Sequence, residues 1–306
     1  MLDAGELDLP LPGGGDTAGR WRRLAGWGGH DLSCARLAEG HVDAVAILAE
    51  AGRAPRPGAL YGVWAARPGG AGAALHLDGG RRELRGTVRY CSGARSLDRA
   101  LVVAGLPGGE ETVLVDVAVA GAPADPDSWR TPAMAGADTL DVRLDGVPVE
   151  PGADVGAPGW YVARPGFAVG GGGVAAVWWG GAAGILRRLA AHGSAAPEPH
   201  RDAHVGELHA VVESAGALLE RTAAAVDADP GGDHRVAVST LRSAVEHAVR
   251  EVVDRVPRAG GVGPLSGDPA FSGALADLAV YVRQHHGERD HAALGAQVRA
   301  GLRAGR

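Results

Sequence analysis

The residues best suited to acid–base chemistry lie near the end of the chain. The segment Gln284-His285-His286-Gly287 follows an amphipathic stretch, and a neutral imidazole can accept a proton at neutral pH. The histidines of this segment are therefore candidates for a general base. The alternative is a solvated histidine near a helix C-terminus, where its cation would complement the helix dipole. His285, His286 and His291 with Glu288 also offer metal-ligand types, but their spacing matches no closed ligand set, so no metal site is predicted.

Glycine-rich segments are the next candidates, because backbone without a Cβ lets a ligand approach closely. The Gly170–Gly173 run lacks the Lys-Ser/Thr of a P-loop and is interpreted as a hinge. The Gly260-Gly261-Val262-Gly263 turn could admit a cofactor, or it could only stop a helix. All 30 Lys+Arg residues are arginines, which excludes lysine Schiff bases, and the chain has no Gly-x-Ser-x-Gly nucleophile elbow.

Composition narrows the class of protein. The chain has 306 residues and a formal net charge of −6, so it is long enough for two or three domains and lacks the basic character of a nucleic-acid binder. Two isolated cysteines, Cys34 and Cys91, indicate a reduced, cytoplasmic protein, although a disulfide between them stays open. No uninterrupted apolar run of membrane-spanning length is present, and Met1–Gly15 lacks the features of a signal peptide.

Hydrophobic periodicity divides the chain into three segments that must position these residues. Residues 1–58 predict a short helical region, with Asp31 as a candidate helix cap. Residues 59–157 predict short strands in an antiparallel barrel or sandwich, with a hairpin at Asp78-Gly79-Gly80. Residues 158–306 predict an antiparallel four-helix bundle, so the fold class is α+β in the order α–β–α.

Several local segments, in this order, resemble the acyl-CoA dehydrogenase family. Leu84–Ala94 is similar to the strand and turn that the family places beside its flavin, and Met134–Thr139 is similar to its exit from the β domain. Val174–Gly180 resembles the first bundle helix, and Arg258–Gly263 stands where the family has a Gln-x-x-Gly-Gly-x-Gly turn. The resemblance covers about residues 30–295 and implies a helical segment, a β barrel and a helical bundle that share one FAD.

The resemblance also implies roles for residues of the β domain. Ser92 would present its hydroxyl, and Gly93 its backbone N–H, to the flavin ring, and Tyr90 would pack on that ring. The alternative is an ordinary strand-end turn with an ordinary strand aromatic. The family further implies α,β-dehydrogenation of an acyl-CoA or similar thioester, in a homodimer or homotetramer.

The bundle carries the other implied contacts. His285 falls at the position of the family's catalytic glutamate, and Gly260 and Gly261 would approach the cofactor's pyrophosphate or adenosine. The family's Thr-Glu-x-x-x-Gly-Ser segment is replaced by Ala66–Gly72, and its turn glutamine by Pro257. The N-terminal helices are also shortened, so a partner subunit is a possible substitute for them.

These departures leave two other functions open. One is a reduced-flavin-dependent monooxygenase on the same fold, since relatives of that kind commonly have a histidine near the position of His285, where it can deprotonate a phenol or assist oxygen transfer. The other is a degenerate, non-catalytic family member that acts as a structural or interaction subunit.

Overall fold

The computed structural model describes residues 5–192 and 198–305 of the chain. Their contacts group into two compact units. The first unit consists of the residues up to Leu9 together with Arg36–Phe167. The second unit consists of Pro10–Ala35 together with the residues from Ala168 onward. The division of the chain at residues 58 and 157 stays a prediction.

The first unit is built, within the described residues, on a seven-stranded sheet. The strands are β1 (Tyr61–Trp64), β2 (Ala73–Asp78), β3 (Arg81–Cys91), β4 (Arg99–Gly105), β5 (Thr112–Ala118), β6 (Ala124–Asp125) and β7 (Leu140–Pro148). Their order in the sheet is β1-β4-β2-β3-β7-β6, and β5 also pairs with β4. All seven lie within the segment 59–157, for which short strands are predicted.

The connections between strands confirm the predicted hairpin and correct the predicted pairing. Gly79 and Gly80 join β2 to β3 with φ angles of +54° and +82°, the left-handed conformation that a two-residue hairpin requires. The sheet is mixed rather than antiparallel, because β4 runs parallel to both β1 and β2. Parallel pairing needs a long crossover, and the β2–β3 hairpin between Trp64 and Arg99 supplies it for β1 and β4.

Both faces of the sheet are covered. Along β4, Val102 lies in one apolar core, whereas Leu101 and Val103 lie in the other. This alternation follows from the two-residue repeat of a strand. Ile47 of α2 (Leu32–Glu50) packs into the second core, and Asp31 caps α2 by accepting a hydrogen bond from the Cys34 N–H at 2.8 Å. The predicted cap is therefore confirmed.

The second unit is helical and agrees with the predicted bundle. Two shorter helices, Val262–Gly267 and Glu288–Ala304, add to the long ones. The helix Arg235–Gly260 buries one apolar stripe, which consists of Val238, Leu241, Val245, Val249, Val252 and Val256. The helices after α2 are α3 (Trp160–Ala163), which lies in the first unit, α4 (Gly166–Ala191), α5 (Pro199–Ala228), α6 (Arg235–Gly260), α7 (Val262–Gly267), α8 (Pro269–Tyr281) and α9 (Glu288–Ala304), and α1 is Thr17–His30.

The Gly170–Gly173 run is not a hinge, because it lies inside α4. A Cβ on Gly172 would stand 2.4 Å from the Trp21 ring, and one on Gly180 would stand 1.9 Å from the Ala25 carbonyl. Glycine is unfavourable within a helix by about 1 kcal/mol, but here it lets α4 and α1 approach at backbone distance. Packing rather than flexibility explains these residues.

The α4 helix is long and apolar enough to span a membrane, but 72% of its most apolar window is buried inside the protein. Its residues pack like those of a core helix: the Trp179 indole N–H donates to the Val212 carbonyl of α5 at 2.8 Å. No disulfide joins Cys34 to Cys91.

Candidate functional site

The strongest candidate site lies where β3 ends and β7 begins. We call residues 90–95 and 134–139 the turn pair. Within residues 5–192 and 198–305, three non-glycine residues have positive φ angles, and all three lie in the turn pair: Tyr90 at +60°, Met134 at +57° and Asp138 at +45°. Each such residue costs on the order of 1–3 kcal/mol, and strain of this kind concentrates at functional sites.

Tyr90 owes its conformation to a β-bulge. The register of β3 against β7 shifts between Val88 and Cys91, so that Arg89 and Tyr90 together face Asp141. The Tyr90 N–H donates to an Asp141 carboxylate oxygen at 3.2 Å. A bulge re-aims the side chain of its extra residue. Tyr90 is 49% exposed, and the Arg89 guanidinium lies 4.8 Å from the centroid of its ring.

Backbone hydrogen bonds join the two turns. The Gly93 N–H donates to the Ala137 carbonyl at 2.9 Å, and the Ala94 N–H donates to the Asp138 carbonyl at 3.0 Å. The expectation that Gly93 presents its N–H to a ligand is therefore wrong, since that group is used within the protein. Gly93 is required for another reason: its φ is +69°, and a Cβ there would lie 2.9 Å from Leu97.

A charged clamp reinforces this connection. The Arg95 backbone N–H and guanidinium Nε donate to the Asp138 carboxylate at 2.9 and 2.8 Å. Burial by itself would raise the pKa of Asp138, but the hydrogen bonds from Arg95 outweigh it, so this pKa is lowered. The Asp138 carboxylate therefore stays ionised and holds its strained turn against Arg95.

Two hydroxyls meet inside the turn pair. The Ser92 and Thr139 oxygens are 3.0 Å apart, and either hydroxyl can be the donor. Ser92 is also fixed through its backbone, because its carbonyl accepts a hydrogen bond from the Trp64 indole at 3.1 Å. Thr139 was not predicted as a site residue, although it ends a segment in which the sequence resemblance lies. The hydroxyl pair is thus a donor and acceptor group in the same turn pair as the exposed Tyr90.

The second unit holds the predicted base, His285. It is 3% exposed, so the alternative of a solvated histidine is wrong. Its Nδ1 accepts a hydrogen bond from the Gly287 N–H at 3.2 Å, and its Nε2 lies 3.4 Å from the Ser243 hydroxyl. A nitrogen that accepts a backbone N–H carries no proton, so the hydrogen bonds assign the proton of the neutral ring to Nε2. In this arrangement His285 is a hydrogen-bond donor rather than a base.

The surroundings of His285 keep it neutral. Burial lowers its pKa, the carboxylates of Asp290 and Glu246 oppose this effect, and Arg242 and His291 add to it. His291 of α9 stacks obliquely on His285, with ring centroids 5.1 Å apart. Near pH 7 the ring is therefore uncharged.

Glu246 completes this group, which we call the His285 cluster: Ser243, Glu246, His285 and His291. One ligand-type atom from each of Glu246, His285 and His291 lies within 4.8 Å of the others. Arg250 and Arg283 already bind the Glu246 carboxylate at 3.0 and 3.5 Å. Since both His285 nitrogens also have partners, the buried members of the cluster, His285 and Glu246, bind groups of the protein itself. Sequence spacing missed Glu246, which precedes the histidines by about 40 residues.

The predicted cofactor glycines of the bundle act as a helix stop. Gly260 ends α6, and Gly261, with a φ of +66°, donates its N–H to the Pro257 carbonyl at 3.0 Å. A Cβ on Gly260 would lie 3.0 Å from Pro264. Close packing explains Gly260, and the positive φ of the helix stop explains Gly261. Their contact with a cofactor stays a prediction.

A separate cavity of about 240 Å³ lies among α1, α4 and α8 in the second unit. Its walls are mostly glycine and alanine, and its lining includes none of the predicted site residues. The Arg188 guanidinium on its rim donates to the Ala270 and His30 carbonyls at 3.1 and 3.4 Å. This arginine therefore ties the three helices together.

Solved structures with this architecture include FMN-bound TdsC from Paenibacillus sp. A11-2, which is 19% identical, with a TM-score of 0.78 over 92% of this chain and 83% of that chain. TdsC is a dibenzothiophene monooxygenase. Methanesulfinate monooxygenase MsuC from Pseudomonas fluorescens is 18% identical, with a TM-score of 0.79 over 96% of this chain and 87% of that chain. A nitrososynthase from Micromonospora carbonacea var. africana is 19% identical, with a TM-score of 0.78 over 97% of this chain and 87% of that chain.

The chain has an acyl-CoA dehydrogenase-like fold. The predicted fold class is thus confirmed, and at these identities the likeness concerns the fold alone. No protein-family model matches the sequence, and no curated protein sequence matches it.

Proposed function

We propose that this protein is a flavin-dependent monooxygenase that uses reduced FMN. When bound, reduced FMN would supply two electrons and two protons, so that one atom of O₂ enters an organic substrate and the other leaves as water. The observation that carries the proposal is the turn pair, where a hydroxyl couple and an exposed aromatic residue lie on a strained backbone. The monooxygenases TdsC and MsuC, which share the fold, support it.

The turn pair has the chemistry that a flavin needs. An isoalloxazine ring offers a flat aromatic face and a polar edge with both donors and acceptors. Ser92 and Thr139 supply hydroxyls that can donate or accept, and Tyr90 supplies an exposed ring for stacking.

Monooxygenation is favoured over acyl thioester dehydrogenation by the state of His285. Removal of an α proton requires a base with a free lone pair. The lone pair of His285 at Nδ1 accepts the Gly287 N–H, and Nε2 carries the proton. This geometry leaves His285 no free lone pair with which to act as a base, so the dehydrogenase function is the second candidate.

FMN is favoured over FAD by the helix stop at the end of α6. FAD differs from FMN by an adenylate group joined through a pyrophosphate. The only glycine turn predicted to approach that group, Gly260-Gly261, is explained by the end of α6 and its packing against Pro264. We therefore propose FMN as the cofactor. We also propose that the protein is a homodimer or homotetramer, and light scattering would measure its mass.

Flavin titration of the purified protein tests the proposal. We expect the fluorescence of FMN to be quenched when it binds, and that of FAD to be quenched less. Ser92→Ala should bind FMN about 2- to 12-fold more weakly, because one hydrogen bond is lost. The matched control is Ser96→Ala, because the Ser96 hydroxyl donates to the Gly93 carbonyl in the same turn, at 3.4 Å.

The competing functions give different results in the same experiment. A protein that binds neither FMN nor FAD would be a non-catalytic relative. Anaerobic bleaching of the bound flavin by an acyl-CoA would establish dehydrogenation instead. Substrate-dependent consumption of O₂ with reduced FMN is the result that monooxygenation requires.

A further inference from the structure

The helix α9 has an apolar face that its own bundle does not cover. None of its 17 residues is fully buried. Leu294, Val298 and Leu302 recur every four residues, so they form one apolar stripe along the helix. Leu294 is half-buried, whereas Val298 and Leu302 are 42% and 64% exposed. The stripe therefore becomes more exposed toward the end of the helix.

The contacts that hold α9 to the bundle lie at its start. His291 stacks on His285, and Asp290 accepts a hydrogen bond from the His286 N–H at 3.1 Å. Beyond His291, no described residue of α9 forms a hydrogen bond, ion pair or ring contact with another element. A short helix without tertiary contacts is marginal in water, so the exposed stripe indicates a partner.

The charges of α9 indicate which partner fits. Its acidic residues, Glu288 and Asp290, lie in the first turn, and Arg299 and Arg303 lie in its second half. In the part of the chain that the structure describes, the ion pairs of α9 all involve Asp290, so the other three have no ionic partner there. One end of the helix is thus left with an unpaired negative charge and the other with unpaired positive charges.

We propose that α9 is a self-association surface, on which two copies of this chain pair through antiparallel α9 helices. An antiparallel pair places the acidic start of each helix beside the basic end of the other, whereas a parallel pair would place like charges together. The same arrangement sets Leu294 of each helix against Val298 of the other, and it opposes the two helix dipoles. A two-fold axis relates the copies, so one surface supplies both sides of the interface. This inference gives the proposed homo-oligomer a surface and is independent of the flavin site.

Light scattering over a range of protein concentrations tests the apolar stripe. The unmodified protein should form an assembly of two or more copies. Leu302→Glu should raise the dissociation constant of an assembly step by about tenfold or more, because a charge replaces an apolar contact on both sides of the two-fold axis. Val298→Glu should have the same effect.

The matched control for the stripe is Ala296→Glu. Ala296 is exposed and lies on the opposite face of α9, about 160° from Val298 around the helix axis. This substitution adds the same charge to the same helix, so a dissociation constant within about twofold of the unmodified protein is expected. Since Leu302 and Ala296 are both exposed, neither substitution should lower the midpoint of a thermal melt.

A charge exchange tests the antiparallel direction. Glu288→Arg should weaken association by about two- to tenfold, because it brings arginines together at both ends of the pair. Adding Arg303→Glu to that variant should recover most of the loss, since the two positions meet across an antiparallel pair. In a parallel pair each position would meet its own copy, so Glu288→Arg would keep a like-charge contact and leave the association unchanged.

The results that would overturn the proposal are distinct from a failure of the proposed flavin chemistry. A protein that stays monomeric at every concentration, or a Leu302→Glu variant that associates as tightly as the unmodified protein, would show that α9 does not join two copies. Flavin titration of the same samples is a separate measurement. An associated protein that binds no flavin would contradict the proposed function alone, and a monomer that binds FMN would contradict the α9 surface.

Discussion

The turn pair of the first unit and the His285 cluster of the second both gather polar side chains, but they hold them in opposite ways. In the turn pair the backbone is strained at Tyr90, Met134 and Asp138, and the Tyr90 ring is left half exposed. In the His285 cluster, His285 and Glu246 are each 3% exposed and have protein partners. Strain with exposure indicates a surface prepared for a ligand, whereas burial with satisfied hydrogen bonds indicates a structural group.

The comparison changes the weight of the predicted residues. His285 is the residue with the most suggestive chemistry in the sequence, yet its ring has hydrogen-bond partners on both nitrogens. Ser92 is unremarkable in sequence, yet it lies in the only described segments where non-glycine residues adopt positive φ. The conformation of the backbone therefore separates the two regions more clearly than residue type does.

The largest effect on stability is expected at Gly93, a position in the turn pair that no other residue fits without strain. Gly93→Ala should lower the free energy of unfolding by about 2–3 kcal/mol, because a left-handed alanine and a tight approach to Leu97 are both unfavourable. Urea unfolding measures this difference. The matched control is Gly121→Ala, where φ is +78° but no atom lies within 4 Å of the new Cβ, so only the backbone cost of about 1 kcal/mol is expected. Equal losses at both positions would mean that Leu97 relaxes and that the turn pair is less rigid than proposed.

The His285 cluster should respond next most strongly in stability. His285→Leu leaves the Gly287 N–H and the Ser243 hydroxyl without their partner, so a loss of about 1–3 kcal/mol is expected. His285→Asn should recover part of it, because its side-chain oxygen takes the place of Nδ1. The exposed neighbour His286 is the control, and His286→Asn should change stability by less than about 0.5 kcal/mol. Unchanged stability in His285→Leu would show that the hydrogen bonds of His285 do not stabilise the fold.

The sequence predicts the turn pair's location but not its geometry. The segments Leu84–Ala94 and Met134–Thr139 are recognisable locally, and the Gly79-Gly80 hairpin predicts where β3 begins. The contact between Ser92 and Thr139 depends on the pairing register of β3 with β7, which shifts twice between residues 83 and 91. A register shift of this kind follows from packing across the whole sheet.

Two further features have no local signal. A left-handed glycine can be anticipated from its residue type, but a left-handed tyrosine at position 90 cannot, because tyrosine favours ordinary strand conformations. Glu246 lies on α6, and only the packing of that helix against the segment after α8 brings it to His285. The amphipathic stripe of α6 predicts its buried face, but it does not predict which polar residue shares that face.

Tyr90 offers a test in which binding and stability separate. Asparagine tolerates the left-handed conformation better than tyrosine, so Tyr90→Asn should leave the free energy of unfolding unchanged or raise it by up to about 1 kcal/mol. FMN affinity should nevertheless fall by about two- to tenfold, since stacking on an aromatic ring is lost. Unfolding and FMN titration of the same preparation measure both quantities. A loss of stability with full retention of FMN binding would remove the turn pair as a ligand surface and leave Tyr90 as a packing residue.

The smallest effect concerns pH and belongs to the His285 cluster. The pKa of His285 is lowered in the folded protein, so below about pH 6.5 the unfolded chain takes up a proton that the folded chain does not, and stability falls as pH falls. The slope of stability against pH is at most about 1.4 kcal/mol per pH unit, and it ends once the pH is below the pKa of His285 in the folded protein.

The control is His285→Asn, which keeps the other charged groups that face the ring. These groups are Asp290 and His291 of α9 and Glu246 and Arg242 of α6. His41, whose pKa burial also lowers, contributes equally to both proteins. Between pH 7.5 and 5.5 the unmodified protein should therefore lose more stability than His285→Asn, and parallel pH profiles would show that His285 is protonated in the folded state, contrary to the buried neutral donor inferred from its hydrogen bonds.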